Sequence, residues 1–204
     1  MEIITHPNGP FMVNSYIVIN NKSAIIIDPG TDVNFFIKTI KSRELKPEAI
    51  LATHGHIDHV QGVNALKREF KIPFYMNSKD IPLLEGLSAQ ANMFGIKDPG
   101  KISVDGELPS GGDKEFIGLN FEFFHTPGHS KGSVSIKLGE LVFAGDVLFK
   151  YSIGRTDLPG GNMKELLSSI RKKLFILPDK TRVLSGHGPE TTIGDEKKKN
   201  PFLR

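Results

Sequence analysis

The sequence predicts an α/β (α+β) fold: two mixed β-sheets packed face to face, with helices outside. Three observations predict it. Short β-branched runs alternate with helix-period segments along the whole chain. The same theme recurs in two similar halves. In each half, histidines stand where apolar runs end, and function on sheet proteins gathers at such strand-end loops.

The elements follow in order. Phe11–Ile19 and Ser23–Ile27 read as two strands joined by the turn Asn20-Asn21-Lys22. Asp28-Pro29-Gly30 stops the second. Val33, Phe36, Ile37 and Ile40 form a helical stripe within Asp32–Leu45, with Asp32 as its cap. Ala49–Thr53 is a buried strand entering a His-rich loop. Val60–Phe70 is a helix, Ile72–Met76 a strand, and Ser78–Leu84 a short helix capped by Ser78. Segment 86–112 is irregular, a lid or a surface excursion. Glu115–Ile117, Asn120–His125, Ser133–Leu138 and Leu141–Ala144 are strands. Gly154–Asn162 is a loop, Met163–Leu174 an amphipathic helix and Arg182–Leu184 the last strand. No linker or low-complexity segment interrupts the chain, so residues 1–204 are expected to form a single domain.

Composition narrows the function. The chain has 204 residues, 38% hydrophobic and 24% charged, which excludes a disordered polymer. Cysteine is absent, so thiol nucleophiles, Cys-ligated zinc and iron–sulfur clusters are excluded. A net charge of +3 does not argue for nucleic acid. Lys197-Lys198-Lys199 is expected to be a solvated tail. No run of 18 apolar residues is present and the first residues lack an export pattern. A cytoplasmic protein without membrane contact is expected.

The chemistry lies in the seven histidines. Three fall in His54-Gly55-His56-Ile57-Asp58-His59. In an extended segment alternate side chains share a face, so His54 and His56 can converge on one cation. Gly55 lets the backbone turn tightly between them. Asp58 and His59 splay and suit a second cation nearby. Imidazole with carboxylate suits Zn²⁺, Mn²⁺ or Fe²⁺. His129, Asp146 and His187 each follow a strand and could complete two coordination shells. His125 alternates with Phe121 and Phe123 and is expected to face the core or support the site. His6 sits in a Pro/Gly segment and receives no role.

These residues resemble the metallo-β-lactamase superfamily. The resemblance is carried by Thr53–His59, by Thr126-Pro127-Gly128-His129-Ser130, by Gly145-Asp146 and by Gly186-His187-Gly188, with Asp28-Pro29-Gly30 as a further signature. It implies a four-layer αβ/βα sandwich with two metals at one edge. By resemblance His54, His56 and His129 hold one metal, Asp58, His59 and His187 the other, and Asp146 bridges them. Asp28 supports the metal loop. Asp58 is the catalytic residue, orienting the attacking hydroxide and accepting its proton. Zn²⁺ is the implied metal, with Fe²⁺ or Mn²⁺ as alternatives.

Gly154–Gly161 and Gly186–Gly194, followed by Asn200–Leu203, are most similar to a short branch of the glyoxalase II-like hydroxyacylglutathione hydrolases. That similarity implies a metal-dependent thioester hydrolase acting on a small molecule. Full-length enzymes of that group carry a C-terminal helical domain that grips glutathione, which this sequence lacks, so the thiol carrier stays open. Arg155 and Asp157 are expected beside the metal ligands or on the pocket wall, or simply paired with each other. Lys131 stands where relatives often have Pro and could meet an anionic substrate or solvent. Two alternatives share the fold. One is a persulfide dioxygenase with one iron on His56 or His54, His129 and Asp146. The other is a nuclease. A metal-stabilised binding module is opposed by seven candidate ligands, since structural zinc is usually closed at four.

Overall fold

The computed structural model describes all of residues 1–204. Two six-stranded sheets form its centre. The first sheet contains β1 (Glu2–Asn8), β2 (Val13–Asn20), β3 (Ser23–Ile27), β4 (Lys46–Leu51), β5 (Phe74–Met76) and β6 (Gly106–Glu107), in that spatial order. Its first two pairings are antiparallel and the other three parallel. The second sheet is built from β7 (Gly111–Phe116), β8 (Leu119–His125), β9 (Val134–Leu138), β10 (Leu141–Gly145), β13 (Arg182–Ser185) and β14 (Thr191–Thr192). Its order is β14-β13-β10-β9-β8-β7. Only β10 and β13 pair in parallel there. A two-residue ribbon, β11 (Leu148–Phe149) with β12 (Ser152–Ile153), stands apart.

The period-two geometry of strands explains the apolar runs. In β2 and β3, Tyr16, Val18, Ile25 and Ile27 face the second sheet and pack there with Phe121, Phe123, Ile136 and Phe143. Ile17, Ile19, Ala24 and Ile26 face the other way. They are covered by α1 (Val33–Ser42), α2 (Ile57–Val60), α3 (Val63–Phe70), α4 (Ile81–Glu85) and α5 (Leu87–Phe94). The outer face of the second sheet is covered by α6 (Met163–Ser169), a π turn over Ile170–Leu174, and α7 (Ile193–Lys199). The layers are therefore helix, sheet, sheet, helix, as expected.

Several expectations need correction. His6 lies in β1, not in a loop; its ring stacks on Phe35 at 3.6 Å and its Nε2 lies 3.0 Å from Asp32. The short helix after β5 is a 3₁₀ turn, Ser78–Asp80, followed by α4, and its cap is Asn77 rather than Ser78. Asn77 accepts from the Lys79 N–H, a reach its longer side chain allows. Segment 86–112 is not wholly irregular. It contains α5 between Gly86 and Gly95, the latter a left-handed C-cap at φ +63°. The helix after residue 163 changes to a π turn at Ile170. The lysine run is the last turn of α7, where Lys197 and Lys199 pair with Asp179 and Asp195. Cations there suit the helix C-terminus. His125 is half-buried and bonds the Lys131 carbonyl at 2.9 Å rather than facing the core. No helix is long and apolar enough to cross a membrane.

Candidate metal centre

Strand direction assembles the site. β8 and β10 both run antiparallel to β9, so they point the same way, and β13 runs parallel to β10. Their C-terminal ends deliver His129, Asp146 and His187. β3 and β4 are parallel in the other sheet and deliver Asp28 and the His54–His59 loop. The two sheets are stitched at this edge. Val134 N–H donates to the Thr53 carbonyl at 2.8 Å, and Asn14 N–H to the Gly186 carbonyl at 2.7 Å. Tyr16 Oη donates to the Ser185 carbonyl at 2.6 Å.

All seven sequence-predicted donors come together. They form three overlapping groups, with ligand atoms within 4.8 Å of one another: His54, His56, His129; His54, His59, Asp146; and Asp58, His59, His187. His54, His56, His59 and His129 are buried, while Asp58, Asp146 and His187 are partly open.

Their hydrogen bonds fix which nitrogen faces inward. Thr53 donates from N–H and Oγ1 to the two oxygens of Asp28, at 2.7 Å each. With its proton so committed, Thr53 Oγ1 can only accept from His54 Nδ1, 3.1 Å away. His54 Nε2 is then a bare lone pair. His129 Nδ1 donates to the Arg155 carbonyl at 2.8 Å, which leaves its Nε2 bare as well. These two lone pairs stand 3.2 Å apart, and His56 Nδ1 is 2.8 Å from His129 Nε2. The facing lone pairs of His54 and His129 are unfavourable without a cation between them. His187 Nδ1 donates to the Phe11 carbonyl at 2.9 Å, aiming Nε2 at Asp58 and Asp146, 3.3 and 3.5 Å away.

Buried atoms without partners mark the same spot. His59 Nε2 and Asp146 Oδ1 are fully enclosed and make no hydrogen bond. They lie 3.4 Å apart. His59 Nδ1 is 3.1 Å from Asp28 Oδ2, near enough for charge attraction but off the hydrogen-bond line. Unpaired buried polar atoms are costly, so a set of them aimed at one point indicates a ligand. Imidazole nitrogens and carboxylate oxygens fit a borderline divalent metal.

The protonation pattern splits the centre in two. Burial holds His54 well below its ordinary range and lowers His56 to about 3, with the neighbouring imidazoles adding to the effect. Burial also pushes His59 down, but Asp58, Asp146 and Asp28 outweigh it and raise it well above that range. For His187 burial is outweighed by the carboxylates of Asp146 and Asp58 beside its Nε2, and it rises to about 10. Burial pushes Asp146 up, yet the His59 charge and the His187 and His129 imidazoles close by hold it well below the usual carboxylate value.

Close packing keeps the geometry. A Cβ on Gly186 would fall well inside contact distance of Asp146 Oδ1 and 2.8 Å from His59 Cε1. Asp28 holds its two-pronged bond to Thr53 from a left-handed backbone at φ +50°, a strained position for a non-glycine residue. One supporting residue was not foreseen. Asp80 is buried, and its carboxylate accepts from Gly55 N–H at 2.9 Å, Ser130 Oγ at 2.7 Å and Gly132 N–H at 2.6 Å. It ties the His54–His59 loop to the His129 loop. In the sequence it is one acidic residue between Asn77-Ser78-Lys79 and the apolar Ile81-Pro82-Leu83, with no motif to single it out.

Arg155 supports His129 through its backbone carbonyl. Its guanidinium forms a two-pronged pair with Asp157 at 2.8 and 2.6 Å. Arg155 borders the cavity over the centre; Asp157 lies outside the cavity wall. That cavity holds about 370 Å³, and Phe11, Phe94, Phe149, Ile153 and Leu158 form its apolar side.

Residues 8–187 match the family model of the metallo-beta-lactamase superfamily. The chain belongs to that superfamily. Among its metallo-hydrolase relatives is a Bacillus subtilis protein named "Probable metallo-hydrolase YqgX", 42% identical, with 97% of this chain and 95% of that one covered. Hydroxyacylglutathione hydrolase GloC of Haemophilus influenzae is 41% identical, over 100% and 98%. Two solved structures superpose closely. BLEG-1 B3 metallo-beta-lactamase gives a TM-score of 0.93 at 42% identity, covering 99% of each chain. TTHA1623 in a di-iron-bound form gives 0.90 at 39%, covering 98% of this chain and 100% of that one.

Proposed function

We propose that this chain is a two-metal thioester hydrolase of the hydroxyacylglutathione hydrolase type, with residues 1–204 acting as one catalytic unit on a small molecule. The observation that carries the reading is the convergence of seven donors in overlapping groups, with bare lone pairs and partnerless buried atoms facing one another. His54, His56 and His129 hold one divalent metal. Asp58, His59 and His187 hold the second, and Asp146 serves both. Zn²⁺ is the proposed metal, with Fe²⁺ and Mn²⁺ the alternatives for this donor set; the di-iron form of TTHA1623 supports two ions. The similarity to GloC supports the thioester substrate.

Two cations so held would supply Lewis acidity and lower the pKa of a water toward neutrality. The chain's own groups do the rest. Asp58, with its side chain 17% exposed at the cavity floor, orients the attacking water and takes its proton. Burial pushes the Asp58 carboxyl up, but His59 and His187 together hold it below the usual value, so it stays a base at neutral pH. The apolar wall of Phe11, Phe94 and Phe149 excludes competing water and strengthens every charge interaction inside. A thiolate leaves without help from a covalent nucleophile, which suits a chain with no cysteine.

The test is elemental analysis of the purified protein beside a panel of thioesters and a β-lactam, with dissolved oxygen followed. The expected result is two metal ions per chain and thioester cleavage in the absence of oxygen. A single iron with oxygen uptake, or cleavage of the β-lactam alone, would overturn the reading.

A further inference from the structure

Three cavities adjoin one another through shared walls, the first of them over the metal centre. The first, over the metals, and the second share the walls His56, Phe94 and Leu158. The second, about 190 Å³, is bounded chiefly by Leu83, Ala89, Met93, Phe94, Leu158 and Pro159. The third, about 210 Å³, shares Pro82, Leu83 and Pro159 with the second and ends at Lys79 and Lys131. Both lysines are exposed, and neither enters an ion pair. Asp80 also borders this end, but its oxygens are taken up by Gly55, Ser130 and Gly132.

From the first cavity to the third the chemistry is metal, apolar, cationic. Over the metals, Arg155 is the lysine-or-arginine cation on the wall, and Asp157 already neutralises it. A free positive charge is met only beyond the apolar stretch. Met93, on α5, lines that stretch and is 68% exposed.

Resting on the thioesterase reading, we propose that the substrate carries an apolar arm ending in an anionic group. The arm lies between α5 and the Leu158-Pro159 loop, and its anion meets Lys79 and Lys131. The apolar cavity has room for about six water-sized groups, at about 30 Å³ each. An arm of about that many heavy atoms spans it.

The experiment uses the metal-loaded protein and two series of synthetic thioesters. One series lengthens the arm on the thiol side and the other on the acyl side. Each arm ends in a carboxylate or in its neutral carboxamide. In one of the two series kcat/KM is expected to rise about fourfold per added methylene until the cavity is full. There the carboxylate arm is expected to exceed the carboxamide about fivefold. In the Lys79→Met/Lys131→Met variant that ratio falls to about one, and in the wild-type protein 1 M salt lowers it. Equal use of both end groups in both series, or an unchanged ratio in the variant, would overturn the proposal.

Calorimetric binding of 6-(methylthio)hexanoate and its amide separates this proposal from the thioesterase reading. If no thioester is cleaved, that reading fails. The arm proposal then stands or falls on whether the acid binds more tightly than the amide and loses its advantage in the double variant.

Discussion

Asp80 Oδ2 accepts a hydrogen bond from Ser130 Oγ at 2.7 Å, across 50 residues of sequence and between the two halves of the chain. The same carboxylate holds the backbone N–H of Gly55 and of Gly132. One buried side chain thus sets the separation of the two loops that bring His54, His56 and His129 together. Asp80→Ala would leave the buried Gly55 and Gly132 N–H groups without a partner, while Ser130 Oγ can turn to Ser133 Oγ, 2.7 Å away. The expected cost is about 3 kcal/mol of stability, and metal affinity is expected to fall about 10–100-fold, the usual effect of losing a group that supports metal ligands. Urea unfolding and competition with a chromogenic chelator measure the two. Unchanged metal affinity would confine Asp80 to a role in folding.

His59 and His54 answer different questions. His59→Ala removes the imidazole shared by two donor groups, and His54→Ala one shared by a different pair. Each is expected to lower thioester hydrolysis by at least about 10²–10³-fold, the scale of one lost electrostatic stabiliser. His59→Ala is expected to bind one metal in place of two, since His54, His56 and His129 stay intact. Elemental analysis of each variant, with circular dichroism to confirm the fold, decides this. Activity near wild type in both variants would remove the proposed centre.

Much of this was legible in the sequence, for a physical reason. Strands buried on both faces show as β-branched runs, and ligands that must converge from strand ends leave His and Asp just after those runs. His54, His129, Asp146 and His187 carried that signal. What stayed hidden lacked an apolar pattern. β1 presents Glu2, Thr5 and Pro7 to solvent and pairs with β2 along one edge only, so its sequence reads as a loop. α7 is held by its Thr192 cap and by buried Glu196, which accepts from Thr191, Asn200 and the Tyr151 N–H, rather than by an apolar stripe. α5 buries only Leu87 and Ala91, and its flanking glycines read as breakers when they are its boundaries. Asp80 could not be found because its role exists only after two distant loops meet.

Gly186 tests how tightly the Asp146 carboxylate is placed. A methyl group there would collide with Asp146 Oδ1 and crowd His59. Gly186→Ala is expected to fold, because the Gly186 backbone can keep its bonds to Asn14 and Gly145. It is expected to lose Asp146 from the centre and with it most activity. Gly188→Ala is the control: no neighbour lies within 4 Å of its added Cβ, though its φ of +73° imposes some strain. Comparable loss of metal in both variants would mean that the collision with Asp146 is not what controls the site.

Metal uptake should depend on pH differently in the two halves of the centre. A metal takes a neutral imidazole, so each protonated histidine must first release its proton. His187, raised to about 10, and His59, raised well above its ordinary range, both carry protons at pH 7 in the metal-free protein. Filling the Asp58, His59 and His187 group then expels about two protons, and its affinity weakens as pH falls. His54 and His56 are already neutral, His56 down to about pH 3, so filling their group expels none from them. The sign extends to folding. The raised pair stabilises the metal-free protein fully below about pH 6.5, and this is lost as pH climbs through the folded values toward about 10. Calorimetric titration with Zn²⁺ in two buffers of different ionisation enthalpy counts the protons. The expected trace has two phases, the tighter at pH 6 releasing about two fewer protons than the weaker, with the weaker gaining strength by pH 8. Equal proton release in both phases would mean that the three carboxylates around His59 do not hold its proton as the structure indicates.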